Sequence, residues 1–220
     1  MDVLDERSVR EAIGSVVEHE GRLDVLVNNA GIGVAGSIED TSIEEVMLQF
    51  DTNFFGAIRV IQAVLPHMRE RSCGRIINIG PMAGQLGMPY QGHYSATKFA
   101  IEGITEALRL EVRQFGIDVV VIEPGDFKTA FTDNRIVAEA ANTGPYAEQC
   151  RKTLDVYAND EINGADPKLV AELVERVIGE RAPKIRYMVG MFSQKAGVVI
   201  KRVVGSRSFE AILRRHCHID

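Results

Sequence analysis

Hydrophobic residues fall along this chain in two alternating rhythms. Val9, Ile13, Val16 and Val17 recur at helical spacing until Gly21, and Ser8 with Glu11 three residues on reads as the capping box that opens this helix. Residues 23–27 form instead a short unbroken apolar run that ends at Asn28, the mark of a buried strand. Thr41-Ser42-Ile43-Glu44 repeats the capping signal and opens a long predicted helix carrying Val46, Phe50, Ile58, Ile61 and Leu65. Gly74–Ile79 predicts a second strand, residues 93–115 a helix, and residues 117–122 a third strand that runs out at Pro124 and Gly125. Asp166-Pro167 puts a proline at the first position of a helix reaching Val177, and Arg186–Val189 predicts a last strand. Strands rich in Val, Ile and Leu, each separated from the next by a helix, predict an α/β fold with a parallel sheet covered on both faces. Residues 129–164 have weak periodicity and many polar positions, which predicts a mobile insertion.

Composition narrows the function. The 220 residues carry 25 Lys and Arg against 31 Asp and Glu, a net −6, with 45% hydrophobic residues. That balance fits one ordinary globular domain spanning residues 1–220 and argues against a nucleic-acid binder, which would present a basic face. No apolar run reaches the roughly 18 residues of a membrane span, and the first residues are not a signal peptide. Cys73, Cys150 and Cys217 are odd in number and lack C-x-x-C spacing, so neither a disulfide framework nor a metal site is expected. A reduced cytoplasmic protein with buried thiols is the simplest expectation.

In parallel α/β sheets ligands bind beyond the carboxyl ends of the strands. Asn28-Asn29-Ala30-Gly31 follows one predicted strand, Gly80-Pro81-Met82-Ala83-Gly84 the next and Pro124-Gly125 the third. Tyr94 and Lys98 are four apart on a helix and share a face. An ammonium beside a phenol favours the phenolate, lowering its pKa from about 10, and such a pair can pass a proton to or from a carbonyl or alcohol oxygen.

With N-N-A-G after a strand, Y-S-A-T-K at Tyr94 to Lys98, P-G-D-F-K-T at Pro124 to Thr129 and Asn53 within D-T-N-F-F-G, the sequence resembles the short-chain dehydrogenase/reductase family over nearly its whole length. The resemblance implies a Rossmann-like doubly wound sheet, NAD or NADP as cofactor, a small-molecule substrate and a homodimer or homotetramer paired through residues 44–68 and 93–115. It implies that Tyr94 is the general acid/base and that Lys98 lowers its pKa while binding the nicotinamide ribose. Asn53 would hold a water linking Lys98 to solvent. Asn29, Ala30 and Gly31 would line the adenosine-ribose side, with Asn28 structural. Asp2 and Val3 would touch the adenine, and Pro124, Gly125, Phe127 and Thr129 would seat the nicotinamide. The segment from Arg186 to Gly190 is similar to members that act on steroids and retinoids, and Pro81, Met82, Tyr90 and Phe131 are the expected lining of a lipophilic substrate pocket.

Two departures qualify this carry-over. No T-G-x-x-x-G-x-G segment occurs, and Gly31-Ile32-Gly33-Val34-Ala35-Gly36 belongs to the loop after a strand rather than to a phosphate loop. The fold is therefore expected to be N-terminally truncated, with residues 23–27 left as an apolar edge strand. Counting back thirteen residues from Tyr94, where the family carries a substrate-binding serine, reaches Pro81, which has neither a hydroxyl nor an N–H. These departures make low activity the expectation, and the alternative is a catalytically impaired remnant acting by dimerisation or binding. Finally, Lys195, Lys201, Arg202, Arg207, Arg214 and Arg215 stand among valines and isoleucines near the C-terminus. They mark either a membrane-surface or partner-binding helix or, more simply, a packed amphipathic helix with a solvated face.

Overall fold

A computed structural model describes residues 1–219, apart from the side chains of Ala83 and Arg202. Helix α1 spans Glu6–Glu20. Its N-cap is Asp5, whose carboxylate accepts from Arg7 N at 2.9 Å, and not Ser8. Asp5 offers an equally good acceptor one turn earlier, while the Ser8 hydroxyl accepts from Asp2 N at 2.9 Å. Gly21 ends the helix at φ 69°, a left-handed conformation that glycine adopts without strain. Strand β1 follows at Val25–Asn28 and β2 at Val34–Ala35.

The expected long helix is observed, in three parts. Helix α2, Ile43–Phe50, is opened by a capping box of Ser42 and Glu45, one residue later than the sequence suggested. A π-helical turn, Asp51–Phe55, joins it to α3, Gly56–Glu70. Beyond these come β3 (Gly74–Ile79), α4 (Gly92–Glu111), β4 (Ile117–Pro124) and β5 (Ile136–Val137). The chain then forms α5 (Ala147–Ile162), α6 (Lys168–Gly179), β6 (Arg186–Val189), α7 (Phe192–Val203) and α8 (Ser206–His216).

The main sheet is parallel in the order β1-β3-β4-β6, with Leu26 opposite Ile76, Ile77 opposite Val120 and Ile122 opposite Tyr187. Side chains alternate between its faces. Ile76 and Val119 join Val9, Ile13, Val60, Val64 and Met68 in a core roofed by α1 and α3. Ile77, Val120 and Ile122 meet Leu173 and Val177 of α6 on the other face. Helices cover both faces, as expected of a doubly wound Rossmann-like sheet. Strand β1 is an edge of this sheet, and Val27 on it is 40% exposed.

Residues 129–164, the expected mobile insertion, contain regular elements. They hold β5, which pairs with β2, and the sixteen-residue α5. That helix buries Cys150, Thr153 and Tyr157, so half-polar side chains do the packing and no hydrophobic period shows in the sequence. The thiols also divide: Cys150 and Cys217 are buried, but Cys73 is exposed.

Candidate active site

The carboxyl ends of β1 and β3 face the middle of α4, and side-chain amides tie the three together. Asn28 Nδ2 donates to Asn78 Oδ1 at 3.0 Å, and Asn78 Nδ2 to the Thr105 hydroxyl on α4 at 2.9 Å. Asn53 lies in the π-helical turn, a rare geometry that recurs at functional sites. Its Oδ1 accepts from Ile32 N at 2.8 Å. Its Nδ2 donates to Ile32 O at 2.9 Å and to Thr97 Oγ1 at 3.3 Å, which fixes the loop after β1 against α4. The Thr97 hydroxyl donates in turn to the backbone oxygen of Tyr94 at 2.8 Å.

Lys98 is buried beside this clamp. Its Nζ donates to Ile79 O at 3.4 Å and lies 5.6 Å from the centre of the Tyr94 ring. A Cβ on Gly31 would come within 3.2 Å of Asn53 Oδ1 and 3.7 Å of Lys98 Nζ, so glycine lets the backbone approach both. Between them lies a cavity of about 10 Å³ lined by Val3, Asn28, Ala30, Asn53, Ile79 and Lys98. That volume is close to the minimum for one water, and its lining offers polar partners.

Charges here are set by burial. Lys98 is pushed down to about 8, because desolvation disfavours its ammonium. Tyr94 is raised well above the ordinary phenol value, first by burial and then by the Glu161 carboxylate, with Arg135 opposing. The expected lowering of Tyr94 by Lys98 is therefore not observed. The ammonium is spent on the Ile79 carbonyl, and desolvation dominates. The cover over Tyr94 comes from the segment after β4. The Phe131 ring lies 5.6 Å from the Tyr94 ring and fills the space a Cβ on Gly33 would need. Arg135 sits 6.0 Å from the Phe131 ring and pairs with Glu161 at 2.5 Å, with the two side chains only 6% and 15% exposed. Thr132 donates to the other Glu161 oxygen at 2.5 Å.

The remaining expected residues are distributed around this centre. Val3 packs on Gly56 and lines the cavity, whereas Asp2 is exposed and its carboxylate accepts from Leu4 N at 2.9 Å. Asn29 and Ala30 are exposed beside Gly31. Pro124 ends β4, Gly125 N donates to Val189 O at 2.8 Å, and Phe127 is buried in a bridge with Ala165. Thr129 is exposed and its hydroxyl accepts from Phe131 N at 3.2 Å. Pro81 opens a short turn of which Met82 is the buried first residue, and Pro81 O accepts from Gly84 N at 2.7 Å. Tyr90 has φ 58° and packs its side chain against Ala138, Ala141 and Cys150.

Sequence reasoning missed Thr97, Arg135, Glu161 and Gln194. Thr97 stands inside the quoted Y-S-A-T-K segment. Gln194 of α7 accepts from Asp126 N at 3.2 Å and donates to the Asp126 carboxylate, and its side chain occupies the space above Gly125. Nothing in the residue pattern announced the long-range pairs.

The sequence model described as short chain dehydrogenase matches residues 1–140. The chain is 43% identical to a 3-ketodihydrosphingosine reductase of Bacteroides thetaiotaomicron, covering 88% of this chain and 72% of the relative. It is 36% identical to retinol dehydrogenase 8 of Bos taurus over 84% of this chain and 61% of the relative. The structure of ElxO with NADP bound superposes with a TM-score of 0.67 at 30% identity, covering 86% of this chain and 73% of that one.

Proposed function

Because the chain belongs to the short-chain dehydrogenase family, we propose that it is an NAD(P)-dependent oxidoreductase that reduces or oxidises a lipophilic ketone or alcohol, with Tyr94 as the general acid/base. The observation that carries this reading is the meeting of Tyr94, Lys98 and Asn53 at the carboxyl ends of β1 and β3. The cradle at Gly31, open to Asn53 and Lys98, fits a ribose edge, and the exposed backbone of Asn29 and Ala30 continues it. The reduced cofactor bound there would supply the hydride for reduction, and the oxidised cofactor would accept it from an alcohol. Lys98 would hold the ribose hydroxyls, and the segment from Pro124 to Thr129 would seat the nicotinamide.

In the reductive direction the Tyr94 hydroxyl donates its proton to the substrate oxygen as that oxygen gains charge. A phenol held above its ordinary pKa is protonated at neutral pH, as a donor must be. The water-sized cavity at Asn53 and Lys98, whose ammonium is held at about 8, would give the phenolate that remains a proton back. Phe131 over Tyr94 excludes bulk water and presents an apolar wall. The reductase acting on 3-ketodihydrosphingosine and the retinol dehydrogenase, both relatives by sequence, support a lipophilic substrate. These similarities to active oxidoreductases weigh against a non-catalytic remnant. The test is oxidation of NADPH or NADH in the presence of long-chain ketones. Turnover that disappears in Tyr94→Phe is expected, and turnover unchanged in that variant overturns the assignment.

A further inference from the structure

The chain is acidic, but its last thirty-one residues are not. From Gly190 onward six Lys and Arg stand against Glu210 and Asp220, a net +4 in a chain of −6 overall, so the first 189 residues carry −10. No acidic residue occurs between Gly190 and Phe209. This basic segment forms α7 and α8.

Helix α7 has two opposite faces. Its inner face is anchored by Val198, 1% exposed, by Gln194 on the Asp126 loop, and by Lys201, which donates to Gln85 O and lies over the Phe99 ring. Phe192, Val199 and Val203, at positions i, i+7 and i+11, fall within about 40° of arc on the other side. They are 85%, 50% and 76% exposed. Phe192 opens α7, two residues before Gln194 and on the opposite side of the helix. Helix α8 tucks Phe209 inward and leaves Arg207, Arg214 and Arg215 exposed.

We propose that α7 and α8 dock this protein on an anionic phospholipid surface, with Phe192, Val199 and Val203 entering the headgroup layer. The chemistry of the face selects that occupant. An aromatic and aliphatic stripe within a segment rich in Lys and Arg is what an interfacial helix requires. Even with Met191, Ile200 and Ile212, which are 38–49% exposed, the apolar side chains of this segment fall short of the roughly 800 Å² per partner of a stable protein interface, whereas a bilayer needs only shallow insertion plus charge. Among the described residues no helix is long and apolar enough to cross a membrane, so this contact lies on the surface. Docking here would bring the protein to the lipid phase from which a lipophilic substrate comes. The inference rests on α7 and α8 alone and holds whichever substrate is used.

The test is co-sedimentation of the full chain with phosphatidylcholine vesicles, with and without phosphatidylglycerol. Binding at least 10-fold tighter to the anionic vesicles, weakening as salt rises, is expected. Arg207→Glu with Arg214→Glu should reduce it by 10-fold or more, from about fivefold per basic residue at the surface. Phe192→Ser with Val203→Ser should reduce it equally at unchanged net charge, while leaving the circular dichroism spectrum and the reaction with a water-soluble ketone intact. Both pairs are exposed, so neither removes a core contact. Equal binding to neutral vesicles, or no binding at low salt, overturns the proposal. So does a serine variant that alters the light-scattering mass but not vesicle binding, because the stripe is then an interface with a second copy of this chain.

Discussion

Lys98 Nζ lies 5.6 Å from the centre of the Tyr94 ring, one helical turn away, and both groups are buried. Burial acts on them in opposite directions: it holds the phenol neutral and works against the ammonium. Burying the Lys98 ammonium therefore costs stability.

That cost gives the first prediction. The Lys98 pKa falls from 10.5 in the unfolded chain to about 8 in the fold, so between these values the unfolded state binds more protons. Stability should rise as pH rises from about 8 to 10.5 and be lowest, on this account, below 8. Lys98→Met removes the penalty. It should stabilise the fold at pH 7 by at most about 3 kcal/mol while abolishing turnover. Denaturant midpoints at pH 7 and pH 10 check this, and a variant less stable than the parent at pH 7 contradicts it.

A second prediction concerns assembly. Met47 and Leu48 of α2, Phe55 of the π-helical turn and Leu110 of α4 are 42–73% exposed, an apolar surface on the two helical segments expected to pair across a two-fold axis. Light scattering at micromolar concentration should give twice the chain mass. Phe55→Glu with Leu110→Glu should return it to monomer. A parent that is monomeric at that concentration removes the proposal.

Much of this was legible in the sequence because it is local. Gly74–Ile79 and Arg186–Val189 form the strands that their apolar runs predict, and Gly21 stops its helix where the period ends. Tyr94, Lys98 and Asn53 were named from separate motifs of the family resemblance, and the structure places Lys98 beside the Tyr94 ring and beside the cavity that Asn53 lines. The start of α1 was misplaced because Asp5 and Ser8 are both good caps and only tertiary context chooses. Helix α5 was missed because Thr153 and Tyr157 bury through hydroxyl-bearing side chains: Tyr157 bonds Pro89 O and Thr153 bonds Cys217 O. Arg135 and Glu161 are 26 residues apart, and no local pattern relates them.

That ion pair supports a third prediction. Glu161 raises Tyr94 and Arg135 lowers it, so each partner's removal should shift the ionisation of Tyr94 in its own direction. In an alkaline absorbance titration, Glu161→Gln should bring in the Tyr94 phenolate at lower pH and Arg135→Met at higher pH. Arg135→Met strands a nearly buried carboxylate and should also cost about 3 kcal/mol in stability. Shifts of the same sign in both variants would show that the pair acts on the fold and not on Tyr94.

Glu123 carries a fourth. It is fully buried at the end of β4, accepts from Gln85 and lies 3.6 Å from Arg186. Burial first, then Glu102, raise it to about 7 against Gln85 and Arg186. The folded state keeps this proton while the unfolded chain loses it near 4.5, so the contribution is complete below 4.5 and is lost as pH rises to about 7. Glu123→Gln should therefore raise the melting temperature at pH 8 by several degrees, at about 2–4 °C per kcal/mol for this size, and change it little at pH 4.5. Equal gains at both pH values would assign the effect to packing instead.

The last prediction returns to Pro81. The residue follows β3 directly and opens the turn whose Gly84 packs against Lys98, its Cβ position 3.3 Å from the Lys98 Cβ. On the proposed mechanism a hydroxyl at this place serves as a donor to the substrate oxygen, and proline offers none. Losing one preorganised donor of this kind costs about 10²–10³ in turnover. Pro81→Ser should therefore raise kcat on a lipophilic ketone by about 10-fold or more. Gly80→Ser should do much less, because a side chain there projects to the other side of the strand end, where Val121 lies 3.4 Å from its Cβ position. Tyr94→Phe in the Pro81→Ser background should erase the gain, since a stabilised oxyanion still needs its proton. KM should move little, because the new hydrogen bond strengthens only as the transition state forms. A parent chain that already turns over as fast as Pro81→Ser would show that another group supplies the donor.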